Sequence, residues 1–97
     1  MDEIIKVSEL FKALSDPTRL KIVKLLNQSK GALCVNAITG MLDVSQSAVS
    51  QHLRVLRQIG LVDGVRYGFH VHYSLNRGNL KRHMQIVRNT LGEDFAI

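Results

Sequence analysis

The run Ser45-Gln46-Ser47-Ala48-Val49-Ser50-Gln51-His52-Leu53-Arg54-Val55-Leu56-Arg57-Gln58 carries side chains whose types and spacing suit nucleic-acid recognition. Val49, Leu53 and Leu56 recur at helical spacing and form one apolar stripe. Ser47, Ser50, Gln51, Arg54 and Gln58 fall on another face, which is polar, neutral to basic and free of carboxylates. An ordinary solvated helix interleaves Glu or Asp with its cations. A helix that lies against phosphates excludes carboxylates by repulsion, and Ser, Gln and Arg hydrogen-bond base edges in a major groove. The segment therefore reads as the recognition helix of a helix–turn–helix. Ser47, Ser50, Gln51 and Arg54 are the expected base readers; Gln46, His52 and Arg57 are the expected backbone contacts, with helix packing as the other reading of His52.

Other elements must hold that helix in place. A first helix is predicted over Asp2–Leu14, with Ile4, Val7, Leu10 or Phe11, and Leu14 as its stripe. Asp16 is a good N-cap and Pro17 suits the first position of a second helix, which runs to about Asn27. Its Leu20, Ile22, Val23, Leu25 and Leu26 wrap most of the circumference, so it reads as the central buried helix. Ala32–Val35 is a short strand or extended entry, and Asn36 caps a short third helix ending at Leu42. Gly40 inside that helix is a local inconsistency costing about 1 kcal/mol against alanine. Asp43-Val44 forms the turn, Ser45 caps the recognition helix and Gly60 terminates it.

Beyond Gly60 the apolar period changes from helical to alternating. Val62–Arg66 and His70–Leu75 read as two strands joined at Tyr67-Gly68-Phe69, a wing directly after the recognition helix. Arg66 and His70 on this wing are expected to touch the DNA backbone. A last helix is predicted over Asn79–Leu91, with Leu80, Met84, Val87 and Leu91 as its stripe. The expected fold is mainly α: a winged helix–turn–helix with five helices and a two-stranded β-hairpin, one domain over residues 1–97.

Composition agrees. Thirteen basic against eight acidic residues give a net charge of +5 and a pI near 9.8, which favours a polyanionic partner. The 45% hydrophobic share supports a packed core. A single cysteine excludes an internal disulfide framework and fits a reducing cytosol. No apolar run approaches the roughly 18 residues of a membrane span, and Met1–Lys6 does not read as a signal peptide. A cytoplasmic protein with no membrane partner is expected.

Phe11-Lys12-Ala13-Leu14-Ser15-Asp16-Pro17-Thr18-Arg19-Leu20, the whole of Leu42–Leu61 and the Tyr73-Ser74-Leu75 wing end together resemble the ArsR/SmtB family of winged-helix repressors. The resemblance spans nearly the whole chain. It implies a homodimer built from the first and last helices, bound to a double-stranded operator and released by a metal ion or another inducer. Ile4, Val7 and Phe11 from the first helix, with Leu80, Met84, Val87 and Leu91 from the last, are then the expected dimer interface.

Where such relatives carry a Cys-x-Cys metalloid site, this chain has Cys34-Val35-Asn36, one thiol where a soft metalloid needs two or three. At the positions matching the family's other site, on the last helix, stand Arg77, Asn79, Thr90 and Glu93, of which only Glu93 is a ligand type. No metal site and no cofactor are therefore expected. His70 and His72, two apart on one strand face, have zinc-compatible spacing but fit phosphate contact on a wing better. His83 reads as a surface or dimer residue. No phosphate loop, zincin spacing or nucleophile elbow points to an enzyme. Two alternatives stand beside the repressor reading: a redox-responsive repressor acting through Cys34, and a winged-helix protein-interaction module that binds no DNA.

Overall fold

In the computed structural model, which describes residues 2–94, the order is α1 (Asp2–Leu14), α2 (Pro17–Gln28), β1 (Leu33–Cys34), α3 (Val35–Leu42), α4 (Gln46–Gln58), β2 (Val62–Tyr67), β3 (His70–Leu75) and α5 (Arg77–Leu91). Local chemistry sets most boundaries. Asp16 Oδ1 accepts from the backbone N–H of Thr18 (2.8 Å) and Arg19 (3.1 Å), and Pro17 opens α2. Ser45 Oγ accepts from Ala48 N–H (3.2 Å) at the start of α4. Between α3 and α4, Asp43 takes the left-handed conformation at φ 53°, which Asp tolerates better than most side chains. Helix α4 ends in a Schellman motif. Leu61 N–H reaches the Leu56 carbonyl and Gly60 N–H the Arg57 carbonyl, both at 3.0 Å, with Gly60 at φ +77°. Leu56 and Leu61 are both fully buried, which completes the apolar contact of that motif.

The sheet order is β1-β3-β2, antiparallel throughout. It has three strands, not the two of the expected hairpin. Leu33 pairs with Tyr73 and Cys34 with His72, a two-residue contact some forty positions apart in sequence that no local pattern signals. Strand β2 continues through Tyr67, which pairs with His70, so the wing turn shortens to Gly68-Phe69. Two helix starts also shift. Cys34, not Asn36, occupies the cap position of α3, and Asn36 lies inside the first turn. Helix α5 begins at Arg77 rather than Asn79, because Asn76 Oδ1 accepts from Asn79 N–H (2.9 Å).

One core joins all the helices. Val7 and Leu10 of α1, Ile22 and Leu26 of α2, Ile38 of α3, Val49, Leu53 and Leu56 of α4, Leu61, Val62 of β2 and Val87 of α5 form a single buried cluster. Helix α2 is not buried all round: Leu20 is 49% exposed, and only Ile22 and Leu26 are fully enclosed. Helices α1 and α5 pack together, and the Glu3–Thr90 contact places the start of α1 against the end of α5.

Candidate nucleic-acid interface

Val49, Leu53 and Leu56 are completely buried, so α4 is anchored along one side and cannot roll without opening the core. At about 100° per residue, Gln46, Arg57, Ser50, Arg54, Ser47, Gln58 and Gln51 then follow one another around an arc of about 140° that runs from beside the stripe to the side opposite it. All seven are exposed. The base-reading candidates Ser47, Ser50, Gln51 and Arg54 thus share one solvent-facing surface with Gln46 and Arg57, and no carboxylate interrupts it.

The wing closes one side of this surface. Ser50, Arg54, Arg57 and Gln58 line a shallow cleft together with Tyr73 of β3. The Arg57 guanidinium carbon lies 6.0 Å from the Tyr73 ring centroid, at the outer limit of a cation–π contact. Tyr73 is a contributor that sequence reasoning missed; its place on the apolar wing face with Val71 and Leu75 was the available signal. Gly64 sits opposite Tyr73 in the ladder, where an added Cβ would meet Tyr73 Cε1 at 3.0 Å and Val71 Cγ1 at 3.1 Å. A second hollow joins Gln46, at the start of α4, to Asn36, Phe69 and His70. Arg66 and His70 are both exposed near the wing tip. His72 is held within the sheet, its ring edge-on to Tyr67 at 5.1 Å and 81°.

His52 stands apart from the polar arc, on the far side of the buried stripe. It is half-buried at the α1–α2 junction, where Arg19 Nη1 donates to its Nδ1 (3.3 Å) in the tautomer protonated at Nε2. His52 Nε2 lies 4.0 Å from Asp16 Oδ1. Arg19 also donates from Nε to the Ala13 carbonyl (2.6 Å) and from Nη2 to the Lys12 carbonyl (3.4 Å). One guanidinium therefore satisfies last-turn carbonyls of α1 and braces α4 through His52. The backbone N–H of Arg19 holds the Asp16 carboxyl below the usual carboxylate range; desolvation, the next largest effect, opposes it, and the Thr18 N–H and the neighbouring His52 and Arg19 side chains add smaller lowering effects. Of the two roles expected for His52, backbone contact and helix packing, its position here fits the packing one.

The expected dimer residues divide. Val7 and Val87 are buried within the single chain, where they hold α1, α5 and the core together. Ile4 (57% exposed), Phe11 and Leu91 remain outward-facing, as does Ile5, while Leu80 and Met84 are half-buried. His83 faces inward: its Nε2 lies 2.9 Å from the Ile59 carbonyl, which ties α5 to the end of α4.

The positions that match the family's last-helix metal site are engaged in internal bonds. Arg77 donates to the Asn27 side-chain oxygen (2.7 Å) and backbone carbonyl (3.0 Å). Asn79 Nδ2 donates to the Gly60 carbonyl (3.0 Å), and Thr90 Oγ1 donates to Glu3 (3.4 Å). Glu93 lies 4.0 Å from Arg88. A fixed guanidinium and an amide nitrogen used as a donor do not fit a divalent cation. Among the described residues, no group of three or more His, Cys, Asp or Glu side chains converges on a common point. Cys34 is half-buried and free.

Residues 16–63 match the family described as "Bacterial regulatory protein, arsR family". The chain is 41% identical over 75 residues to a "Transcriptional repressor SmtB homolog" of Synechocystis, covering 77% of this chain and 55% of that protein. It thus spans about half the length of that curated relative. It is 36% identical over 87 residues to an "Uncharacterized HTH-type transcriptional regulator" of Methanocaldococcus jannaschii, covering 90% of this chain and 97% of that one. Among solved structures, an "ArsR-like Transcriptional Regulator" from a Rhodococcus species superposes with a TM-score of 0.81 at 26% identity, covering 96% of this chain and 86% of the other. With its helix–turn–helix, its wing and these relatives, the chain belongs to the ArsR/SmtB family of winged-helix DNA-binding transcriptional regulators.

Proposed function

We propose that this chain is a homodimeric, sequence-specific transcriptional repressor that works without the family's metal sites. The observation that carries the reading is the polar arc of α4: seven exposed side chains without a carboxylate, on a helix whose apolar stripe is fully buried. Such a helix meets a major groove as a rigid body, with Arg54 and Gln51 offering bidentate bonds to base edges. Gln46, Arg57, Arg66 and His70 border it as phosphate contacts. The Synechocystis relative's description as a repressor supports the direction of regulation.

Dimerisation rests on the outward apolar side chains Ile4, Ile5, Phe11 and Leu91 of the α1–α5 pair. A two-fold pairing there sets two recognition helices about one DNA turn apart, ~34 Å. The internal bonds of Arg77, Asn79 and Thr90 support the absence of a metal response.

The test begins with duplexes selected from random-sequence DNA by the full chain, followed by anisotropy titrations across salt concentrations. A selected palindromic duplex with steeply salt-dependent binding supports the proposal, and so does a dimer in sedimentation. Arg66→Ala should weaken selected and random DNA alike and flatten the salt slope by about one. Failure to select any duplex favours the protein-interaction alternative. Release of DNA by stoichiometric zinc or arsenite contradicts the metal-free reading, and release by peroxide that Cys34→Ser abolishes identifies Cys34 as the sensor.

A further inference from the structure

The wing tip departs from what electrostatics alone requires of a DNA-binding hairpin. Phe69 is 98% exposed, the most exposed large apolar side chain among the described residues, and Val65 and Tyr67 on the same hairpin are each more than half exposed. Solvent exposure of these apolar side chains on one hairpin confers no stability on the isolated chain. The turn also fixes where Phe69 stands. Gly68 has φ +62°, while Phe69 is not among the residues with positive φ. Positive φ at the first central residue alone is the type II′ pattern, which matches the twist of the flanking strands and makes a rigid tip. The pair Tyr67↔His70 closes the ladder directly beneath it.

The tip is continuous with the DNA-reading surface. Phe69 and His70 line the same hollow as Gln46, the first residue of the recognition helix, and Arg66 stands two positions before the turn. A rigid apolar side chain beside a helix seated in the major groove meets the neighbouring minor groove, with Arg66 and His70 placed for phosphates. Phenylalanine in a minor groove is a wedge between base steps, not a charge contact. We infer that Phe69 is such a wedge: it inserts at a flexible pyrimidine–purine step flanking each half-site and bends the duplex. This rests on the DNA-binding reading above and deepens it, since it adds indirect readout at positions α4 does not touch.

The experiment uses the full chain and the duplex it selects from random DNA. Bending is measured by energy transfer between dyes on the duplex ends, and unstacking by 2-aminopurine placed at successive flanking steps. The wild type should bend the duplex by roughly 20° or more and brighten 2-aminopurine at one step per half-site. Phe69→Ala should abolish both signals and weaken binding about 10-fold or more. Phe69→Leu, still an apolar wedge, should keep both. Phe69→Arg should restore affinity through phosphate contact and leave the duplex straight. The side chain is solvent-exposed, so these variants fold. A wild-type complex that is tight but straight, or a Phe69→Ala complex bent like the wild type, overturns the wedge and leaves the DNA-binding reading intact. Unchanged DNA binding with loss of self-association in Phe69→Ala overturns it in favour of a protein contact. Failure to select any duplex overturns both readings.

Discussion

Arg19→Ala should be among the most damaging single changes outside the apolar core. Arg19 is half-buried and makes three hydrogen bonds from one guanidinium: to the Ala13 carbonyl at 2.6 Å, to His52 Nδ1 at 3.3 Å and to the Lys12 carbonyl at 3.4 Å. A hydrogen bond from a charged group contributes about 1.5–3 kcal/mol net. The short bond to Ala13 counts in full and the two longer ones only partly. Their losses overlap, because one side chain makes all three. The expected loss is about 2–3 kcal/mol, which for a domain of this size lowers Tm by roughly 8–24 °C. Urea unfolding at fixed protein concentration should show a lower midpoint with an unchanged m-value, since the exposed surface does not change. Arg19→Lys should fall between the two, because an ammonium lacks the fork that reaches two carbonyls and an imidazole together. An Arg19→Ala chain within about 0.5 kcal/mol of wild type would behave like an ordinary surface substitution and refute this account of the α1–α4 brace.

Leu53→Ala removes a fully buried side chain under the middle of α4 and should cost on the order of 3 kcal/mol, seen in urea unfolding. Gly40→Ala should stabilise by about 1 kcal/mol: Gly40 lies within α3, and an added Cβ would meet nothing within 4 Å. Asp16 gives a pH dependence of known sign. Its pKa is lowered from an ordinary value of 3.8, so its contribution is present above that value and is lost as pH falls through the folded pKa. Asp16→Asn, which keeps an N-cap, should therefore destabilise at neutral pH, and the difference from wild type should shrink in acid unfolding below pH 3.8.

Features written within a few residues of chain are legible in the sequence. The caps Asp16 and Ser45, Pro17 at the start of α2, the Asp43-Val44 turn, the Gly60 stop and the anchored stripe of α4 all depend on near neighbours, and the structure shows each of them. Features that depend on distant partners are not. Strand β1 is legible as a short extended run within Ala32–Val35, but its pairing with β3, some forty positions on, is not. The inward turn of His52 depends on Arg19, thirty-three positions away, although its angle around α4, beyond the buried stripe, already sets it apart from Gln51 and Arg54. His83 likewise finds the Ile59 carbonyl across the fold. The start of α5 is different, because its signal is local: an Asn three residues before Asn79 has the spacing of an N-cap, and Asn76 begins the helix two residues earlier than the apolar stripe suggests.

The central claim is that the polar arc of α4 reads bases, and the ratio of affinities for selected and random duplexes in Gln51→Ala and Arg54→Ala tests it most directly. Each loss should be about 1–3 kcal/mol on the selected duplex, roughly 5- to 150-fold, with little change on random DNA, so the ratio collapses by nearly that factor. Both variants keep the core of α4 intact, because neither side chain is buried. A ratio equal to that of the wild type in both variants would contradict the claim, whatever the overall affinity.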